Sequence, residues 1–280
     1  MKRTRSFSAL AREVDGHVPR AWLARAANLV LAARSGDRRR FGVDAGGHWL
    51  NRQPGLTIVS PDLHTAHWHQ LRSAALDIWC HSYLPRPGDT VIDAGAGIGE
   101  ETILFSELVG KSGRVISIEA HPGTFDCLRA TIDRSRLENV LPVHCAVAGS
   151  DGAARISDCG EHLANCLVAA GNGPEVPART LESLANELGI ASIDLLKMNI
   201  EGAEQSAVDG MRAIAPRIRH CAISCHDFIA DAGGAASFRT KEHVSSALLG
   251  QGFILSSHDR ADRPWLRDMV YARHRSPRLI

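Results

Sequence analysis

Val91-Ile92-Asp93-Ala94-Gly95-Ala96-Gly97-Ile98-Gly99 is the stretch whose reading decides the fold. A β-rich run, Thr90–Ala94, breaks into three glycines at alternate positions, and a helical pattern over Glu100–Val109 follows. Strand, tight turn and helix in that order open a parallel α/β unit, in which ligands lie beyond the carboxyl ends of the strands. Gly95, Gly97 and Gly99, with Ala96 between them, let the backbone turn sharply and let a ligand approach the main chain. The spacing is GxGxG, not the GxGxxG of dinucleotide-binding turns. Asp93 adds a carboxylate that would repel a pyrophosphate but can hold an ammonium, directly or through water.

Downstream, short β-rich runs alternate with helical ones. Strands are expected at Arg114–Ile118, Val140–Val147, Ile193–Ile200, Ile218–Cys225, Phe253–Ser257 and Asp268–Ala272, with a hairpin arm at Ala153–Ser157. Helices are expected from Pro122 to about Arg136, over Leu181–Leu188 with Thr180 as cap, over Ala203–Met211, and over Thr240–Leu249. This alternation implies right-handed crossovers. The expected fold is a Rossmann-like, doubly wound, mainly parallel seven-strand sheet with its last strand antiparallel.

The first 85 residues have a different texture. A helix is expected over residues 20–33, then a solvated basic turn Arg38-Arg39-Arg40, then brief strands around Gly46-Gly47 and Pro54-Gly55. A second helix should start after Pro61 with Asp62 as cap and run to about Tyr83. Pro85-Arg86-Pro87-Gly88-Asp89 is a stiff turn, which places a boundary between an N-terminal, largely helical cap (1–85) and the ligand-binding domain (86–280). His64, His67 and His69 lack a fourth ligand at zinc spacing and read as core or pocket lining.

Composition narrows the class. A chain of 280 residues with 44% hydrophobic and 22% charged residues is neither disordered nor fibrous. Thirty-two basic and 31 acidic residues leave a formal charge of +1, which steers toward neither nucleic acid nor an anionic membrane. No apolar run reaches the roughly 18 residues of a membrane helix. The basic start is followed by Arg12, Glu13 and Asp15 rather than an apolar signal core. Seven cysteines without a CxxC pair point to reduced thiols and a cytoplasmic setting. A homo-oligomer stays open.

The second expected strand ends in Glu119, 20 residues after Gly99. A carboxylate there can accept hydrogen bonds from both ribose hydroxyls. An acid for an ammonium and an acid for a ribose, with no phosphate cradle, suit S-adenosylmethionine better than NAD. A third block is Asp194-Leu195-Leu196-Lys197-Met198-Asn199-Ile200-Glu201-Gly202-Ala203-Glu204, preceded by Thr180-Leu181-Glu182-Ser183-Leu184. Together with the glycine turn and Ile118-Glu119-Ala120-His121-Pro122, these blocks resemble the FkbM-type family of class I S-adenosylmethionine-dependent methyltransferases over about residues 87–225.

The resemblance implies methyl transfer to a hydroxyl oxygen of a sugar or secondary metabolite. It implies that Asp93, Gly95, Ala96, Gly97 and Gly99 hold the methionine end, that Glu119 and Ala120 lie at the ribose, and that Ala146 and Val147 flank the adenine. Two positions depart from the family pattern, where Asp is usual: Asn199 and Glu182. Neutral Asn199 cannot be a base, so His226, at the next strand end beside Asp227, is the candidate. A second reading groups Asn199, His226 and Asp227 around a divalent cation that would acidify the acceptor hydroxyl. The rival functions are an NAD-dependent oxidoreductase and a non-catalytic nucleoside-binding or scaffold protein. Acceptor choice is expected in residues 1–85 and the loop 159–178.

Overall fold

A computed structural model describes residues 17–33, 36–156, 167–168, 173–258 and 263–277. In chain order these form α1 (Arg20–Ala32), β1 (Arg40–Val43), β2 (Trp49–Gln53), β3 (Leu56–Ser60), α2 (Trp68–Trp79), β4 (Thr90–Ala94), α3 (Glu100–Val109), β5 (Arg114–Glu119) and α4 (Pro122–Ser135). There follow β6 (Val140–His144), β7 (Ala146–Val147), β8 (Gly152–Ile156), β9 (Leu167–Val168), β10 (Glu175–Arg179), α5 (Leu181–Glu187) and β11 (Ile193–Met198). The last elements are α6 (Glu204–Asp209), β12 (Ile218–Ser224), α7 (Asp227–Asp231), α8 (Lys241–Gly250), β13 (Phe253–Ser256), α9 (Pro264–Arg267) and β14 (Met269–His274).

The main sheet has seven strands in the order β13-β14-β12-β11-β4-β5-β6. The register is parallel from β12 to β6, and β14 runs antiparallel to both β12 and β13. This is the expected doubly wound Rossmann-like sheet with an antiparallel last strand. Successive residues of each central strand enter opposite layers, as the two-residue strand period requires. Ile92, Ile116, Leu196 and Ile223 pack on one face with Leu184, Val208 and Leu248. Val91, Val115, Leu195 and Ala222 pack on the other with Trp79, Leu104, Phe105 and Tyr271. All six residues of β11 are buried, Lys197 among them.

The chain winds from β4 outward to β6, then returns past β4 to β11. The switch point of the sheet therefore lies between β4 and β11. There the Asn199 N–H donates to the Ala94 carbonyl at 3.0 Å. A β-carbon on Gly95 would sit 1.9 Å from the Asn199 carbonyl oxygen. Only glycine fits the crossing.

The segment before β4 is mixed rather than helical. Its brief strands form a separate antiparallel sheet, β1-β2-β3. β3 lies along α4, where the Val59 N–H donates to Thr131 Oγ1 at 2.9 Å and the Thr57 N–H to Ser135 Oγ at 3.0 Å. Helix α2 starts at Trp68, five residues later than a cap at Asp62 implies. Side chains of β2 and of Arg39, just before β1, capture the intervening backbone: Asn51 and Gln53 donate to the Ala66 carbonyl, and Arg39 to that of Thr65. Asp62 thus caps no helix. Arg39 is no solvated residue either; it is 7% exposed and paired with Asp37 at 2.7 Å. That guanidinium holds the Asp37 carboxyl down at about 2 despite its burial.

The hairpin arm exists as β8, and its partner is β10, a strand the sequence reading omitted. These strands join β7 and β9 in a second small sheet, order β7-β10-β8-β9. The free cysteines among the described residues, Cys80, Cys127, Cys145, Cys221 and Cys225, are buried. No helix among the described residues is long and apolar enough to cross a membrane.

Candidate active site

A cleft of about 920 Å³, counting its open mouth, lies beyond the carboxyl ends of β11, β4, β5 and β6. Gly95, Ala96, Gly97 and Ile98 line it from the turn after β4, and Glu100 and Glu101 from the start of α3. Ile118, Glu119, Ala120 and His121 line it from the end of β5, and Cys145, Ala146 and Val147 from beyond β6. Ile156 of β8 closes one side, and Asn199, Ile200, Glu201 and Ala203 come from beyond β11. Of the residues expected at the site, Gly95, Ala96, Gly97, Glu119, Ala120, Ala146, Val147 and Asn199 share this lining.

Four of its expected residues are not in the lining. Asp93 is completely buried beneath the turn, with its Oδ1 2.8 Å from Lys197 Nζ. Its Oδ2 accepts from Thr102 Oγ1 at 2.7 Å. It cannot meet a ligand ammonium there. Gly99 stands at the start of α3 with φ 97°, where a β-carbon would lie 3.0 Å from Leu128 Cδ1. Its job is close packing of α3 on α4.

His226 is 4% exposed and caught between two acids: its Nδ1 lies 3.1 Å from Glu204 Oε1 and its Nε2 3.3 Å from Glu201 Oε2. Burial works against charge on the ring, but the hydrogen bonds and charges of Glu201 and Glu204 outweigh it and push His226 up to about 10. Held between two carboxylates and outside the cleft lining, the ring is not placed to take a proton from an acceptor there. Asp227 faces away from the cleft, its Oδ1 accepting from the N–H groups of Thr240 and Lys241 at 2.9 and 3.0 Å. Among the described residues no His, Cys, Asp or Glu trio is arranged to hold a metal ion, and Asn199, His226 and Asp227 do not converge on a common point in the cleft. The histidine triplet is divided: His64 Nε2 lies on Glu100 Oε1 at 2.8 Å, while the His67 and His69 rings stand 5.1 Å apart with His67 Nε2 near Asp37 at 3.7 Å.

Glu119 behaves as expected of a ribose acid. Its Oε2 accepts from the Gly97 N–H at 3.0 Å and its Oε1 from the His121 N–H at 2.9 Å, so the glycine turn and the strand end lock the carboxylate in place. Burial pushes its carboxyl up to about 7, against the pull of those two N–H groups. Gly97 itself has φ 56° and no atom within 4 Å of where a β-carbon would be, so its backbone is open to the cleft.

The sequence reading missed Lys197, Glu100, Glu101 and Glu201. Lys197 Nζ ties the underside of the site together by donating to the Gly95 carbonyl at 2.7 Å while pairing with Asp93. Burial opposes its charge, but Asp93, Glu101 and Glu119 hold its pKa above the ordinary lysine value. Its signal was a lysine in the inner, otherwise apolar part of a central strand, Leu195–Met198, in register with Asp93 on β4. Glu101 is raised by burial, with the Lys197 ammonium opposing, and its Oε1 accepts from Trp79 Nε1 at 3.3 Å. Nothing in the sequence distinguished these glutamates from an ordinary first helical turn.

The lining thus carries four carboxylates, Glu100, Glu101, Glu119 and Glu201, and no lysine or arginine. Such a cleft favours a cation and repels a pyrophosphate. The family model of the methyltransferase FkbM domain matches residues 93–271, which includes every strand of the main sheet but the start of β4 and the end of β14. The chain belongs to the FkbM methyltransferase family.

Among FkbM relatives, the 31-O-demethyl-FK506 methyltransferase FkbM of Streptomyces tacrolimicus is 27% identical, with 62% of this chain and 76% of that protein covered. The catalytic subunit of the tRNA (adenine(58)-N(1))-methyltransferase of Yarrowia lipolytica is 39% identical over 59 residues, which is 21% of this chain and only 15% of that protein. Of solved structures, an FkbM methyltransferase from Methylobacillus flagellatus KT is similar at 15% identity and TM-score 0.45, covering 74% of this chain and 58% of that one. A fibrillarin from Aeropyrum pernix with natively bound S-adenosyl-L-methionine has 15% identity and TM-score 0.45, covering 87% and 86%. At such scores the fold assignment rests on the strand order itself. Family membership makes the protein an S-adenosylmethionine-dependent methyltransferase and sets aside the oxidoreductase reading.

Proposed function

We propose that this FkbM methyltransferase acts on a hydroxyl oxygen of a small molecule, a sugar or a secondary metabolite. The observation that carries the reading is the acid-lined cleft at the switch point, with Glu119 fixed at the end of β5. The Streptomyces tacrolimicus relative is a 31-O-demethyl-FK506 methyltransferase, which supports oxygen as the acceptor atom.

The residues present fit the donor. Glu119 would accept from the ribose hydroxyls, and apolar Ala146, Val147 and Ile156 would flank the adenine. Glu100 and Glu101, not Asp93, would receive the ammonium of the methionine end. When bound, S-adenosylmethionine supplies a methyl group already activated on a sulfonium. What remains for the protein is alignment and removal of one proton. Asn199, neutral and facing the cleft, orients an acceptor by hydrogen bonding. Glu201, its side chain 19% exposed at the cleft wall, is the carboxylate placed to take the hydroxyl proton on an Oε. No divalent cation enters this scheme. The segment 1–85 reaches the rim through His64 on Glu100 and is our candidate for acceptor choice, together with the loop 159–178, most of which lies outside the described residues.

Incubation with methyl-labelled S-adenosylmethionine and a panel of macrolide polyols and free sugars tests this. Label is expected in a base-stable methyl ether, with transfer lowered at least ~10-fold in Glu119→Ala through loss of hydrogen bonds to a charged group. Label found only on nitrogen or carbon, or none across the panel, would overturn the oxygen assignment.

A further inference from the structure

The buried His226 is used by neither the cofactor site nor the proposed chemistry, yet it is tightly held. Each ring nitrogen faces a carboxylate, which requires an N–H on both and hence an imidazolium. Glu204 is fully buried, and its Oε1 also accepts from the Gly202 N–H at 3.1 Å. The rings of Phe228 and Phe238 stand 5.9 and 6.4 Å from the imidazole. One cation between two anions leaves a net negative charge, and that excess lies on the partner open to the cleft, Glu201. The backbone of Glu201 has φ 51°, a left-handed conformation that disfavours any side chain. Strain of this kind persists where surrounding contacts over-determine it, and such positions cluster at functional sites.

Glu201 lies at the β11 end of the row of four strand ends, while Ala146 and Val147 lie at the β6 end with Glu119 between. An adenosine seated on Ala146, Val147 and Glu119 extends its sulfur toward Glu201. We propose that Glu201, positioned by the His226–Glu204 pair, reads charge at that end of the cleft: it favours the cationic donor over the neutral thioether left after transfer, so the spent product leaves. This rests on the methyltransferase reading of the cleft. Glu201 touches the ligand; His226 and Glu204 act through it.

Calorimetry with two probes of one skeleton tests this. S-adenosylhomocysteine is neutral at its sulfur, and sinefungin carries there a carbon bearing a protonated, cationic amine. Wild type should prefer sinefungin. In Glu201→Gln that preference should fall about tenfold, with S-adenosylhomocysteine affinity changed less than about twofold, the scale of one partly screened charge pair. Glu204→Gln, which leaves one cation against one anion, should lose part of the preference, whereas a merely structural role would weaken both probes equally. An unchanged ratio in Glu201→Gln, or equal loss of both probes, overturns the proposal while leaving the cofactor site standing. A wild type that binds neither probe overturns the cofactor site, and the proposal with it.

Discussion

Replacing Lys197 with methionine is expected to lower stability by about 3–5 kcal/mol, the usual cost of leaving a buried charge without its partner. Lys197 is 1% exposed and Asp93 not at all, and the two are in register on β11 and β4, 2.8 Å apart. Methionine keeps the volume against the Trp79 ring, over which the ammonium stands at 5.0 Å. Volume is therefore not the cause of the loss. The cost falls on the Asp93 carboxylate, left buried without its cation. Adding Asp93→Asn should restore much of the loss at pH 7, since the pair is then removed rather than broken. Urea titration of wild type and the two variants measures this. A Lys197→Met protein as stable as wild type would mean that the pair does not anchor the turn.

Gly95→Ala is expected to abolish binding of S-adenosylhomocysteine, with affinity reduced more than ~100-fold, and to cost about 2–4 kcal/mol of stability. Its β-carbon would fall 1.9 Å from the Asn199 carbonyl oxygen and 2.8 Å from the carbonyl carbon, so one of the two backbones must move. That displacement lies at the switch point, where the turn that carries Gly97 and the strand end that carries Glu201 meet. A left-handed φ of 72° adds strain. Gly189→Ala is the control: its φ is 60°, and nothing lies within 4 Å of the added carbon. It should show only the conformational cost, about 1 kcal/mol, and bind the ligand normally. Equal behaviour of the two variants in calorimetry and thermal unfolding would show that the contact is not what requires glycine.

The sheet was legible because its signals are local and repeated. Each strand of the main sheet is a short apolar run, and each helix has a start or stop residue such as Thr180 or Gly189 beside it. The cofactor end was legible because the glycine turn and Glu119 act through backbone and strand-end position, which chain order fixes. The catalytic end was not. Whether a strand-end acid reaches the cleft depends on which way its side chain points, and Asp93 points beneath the turn whereas Glu119 points over it. His226 stood beside the correct strand end, but its protonation is set by Glu201 and Glu204, more than 20 residues away in sequence. The left-handed backbone that turns Glu201 into the cleft has no sequence mark beyond the glycine that follows it. In the N-terminal segment, helix α2 starts late because Asn51 and Gln53 on a neighbouring strand claim the backbone of its expected first turn. Propensity along the chain does not register such competition.

The most direct measurement is calorimetric titration of the wild-type protein with S-adenosylhomocysteine and, separately, NAD, between pH 5.5 and 8. Burial holds Glu119 near 7 in the free protein, and ribose hydroxyls donate to its charged form, so binding lowers its pKa and releases a proton. Affinity for S-adenosylhomocysteine should therefore rise with pH, by up to about tenfold per unit below 7, and level off above it. NAD, whose pyrophosphate would face these acids, should not bind at pH 8, where Glu119 carries its charge. Binding of NAD, or no binding of S-adenosylhomocysteine at pH 8, would contradict the assignment of the cleft.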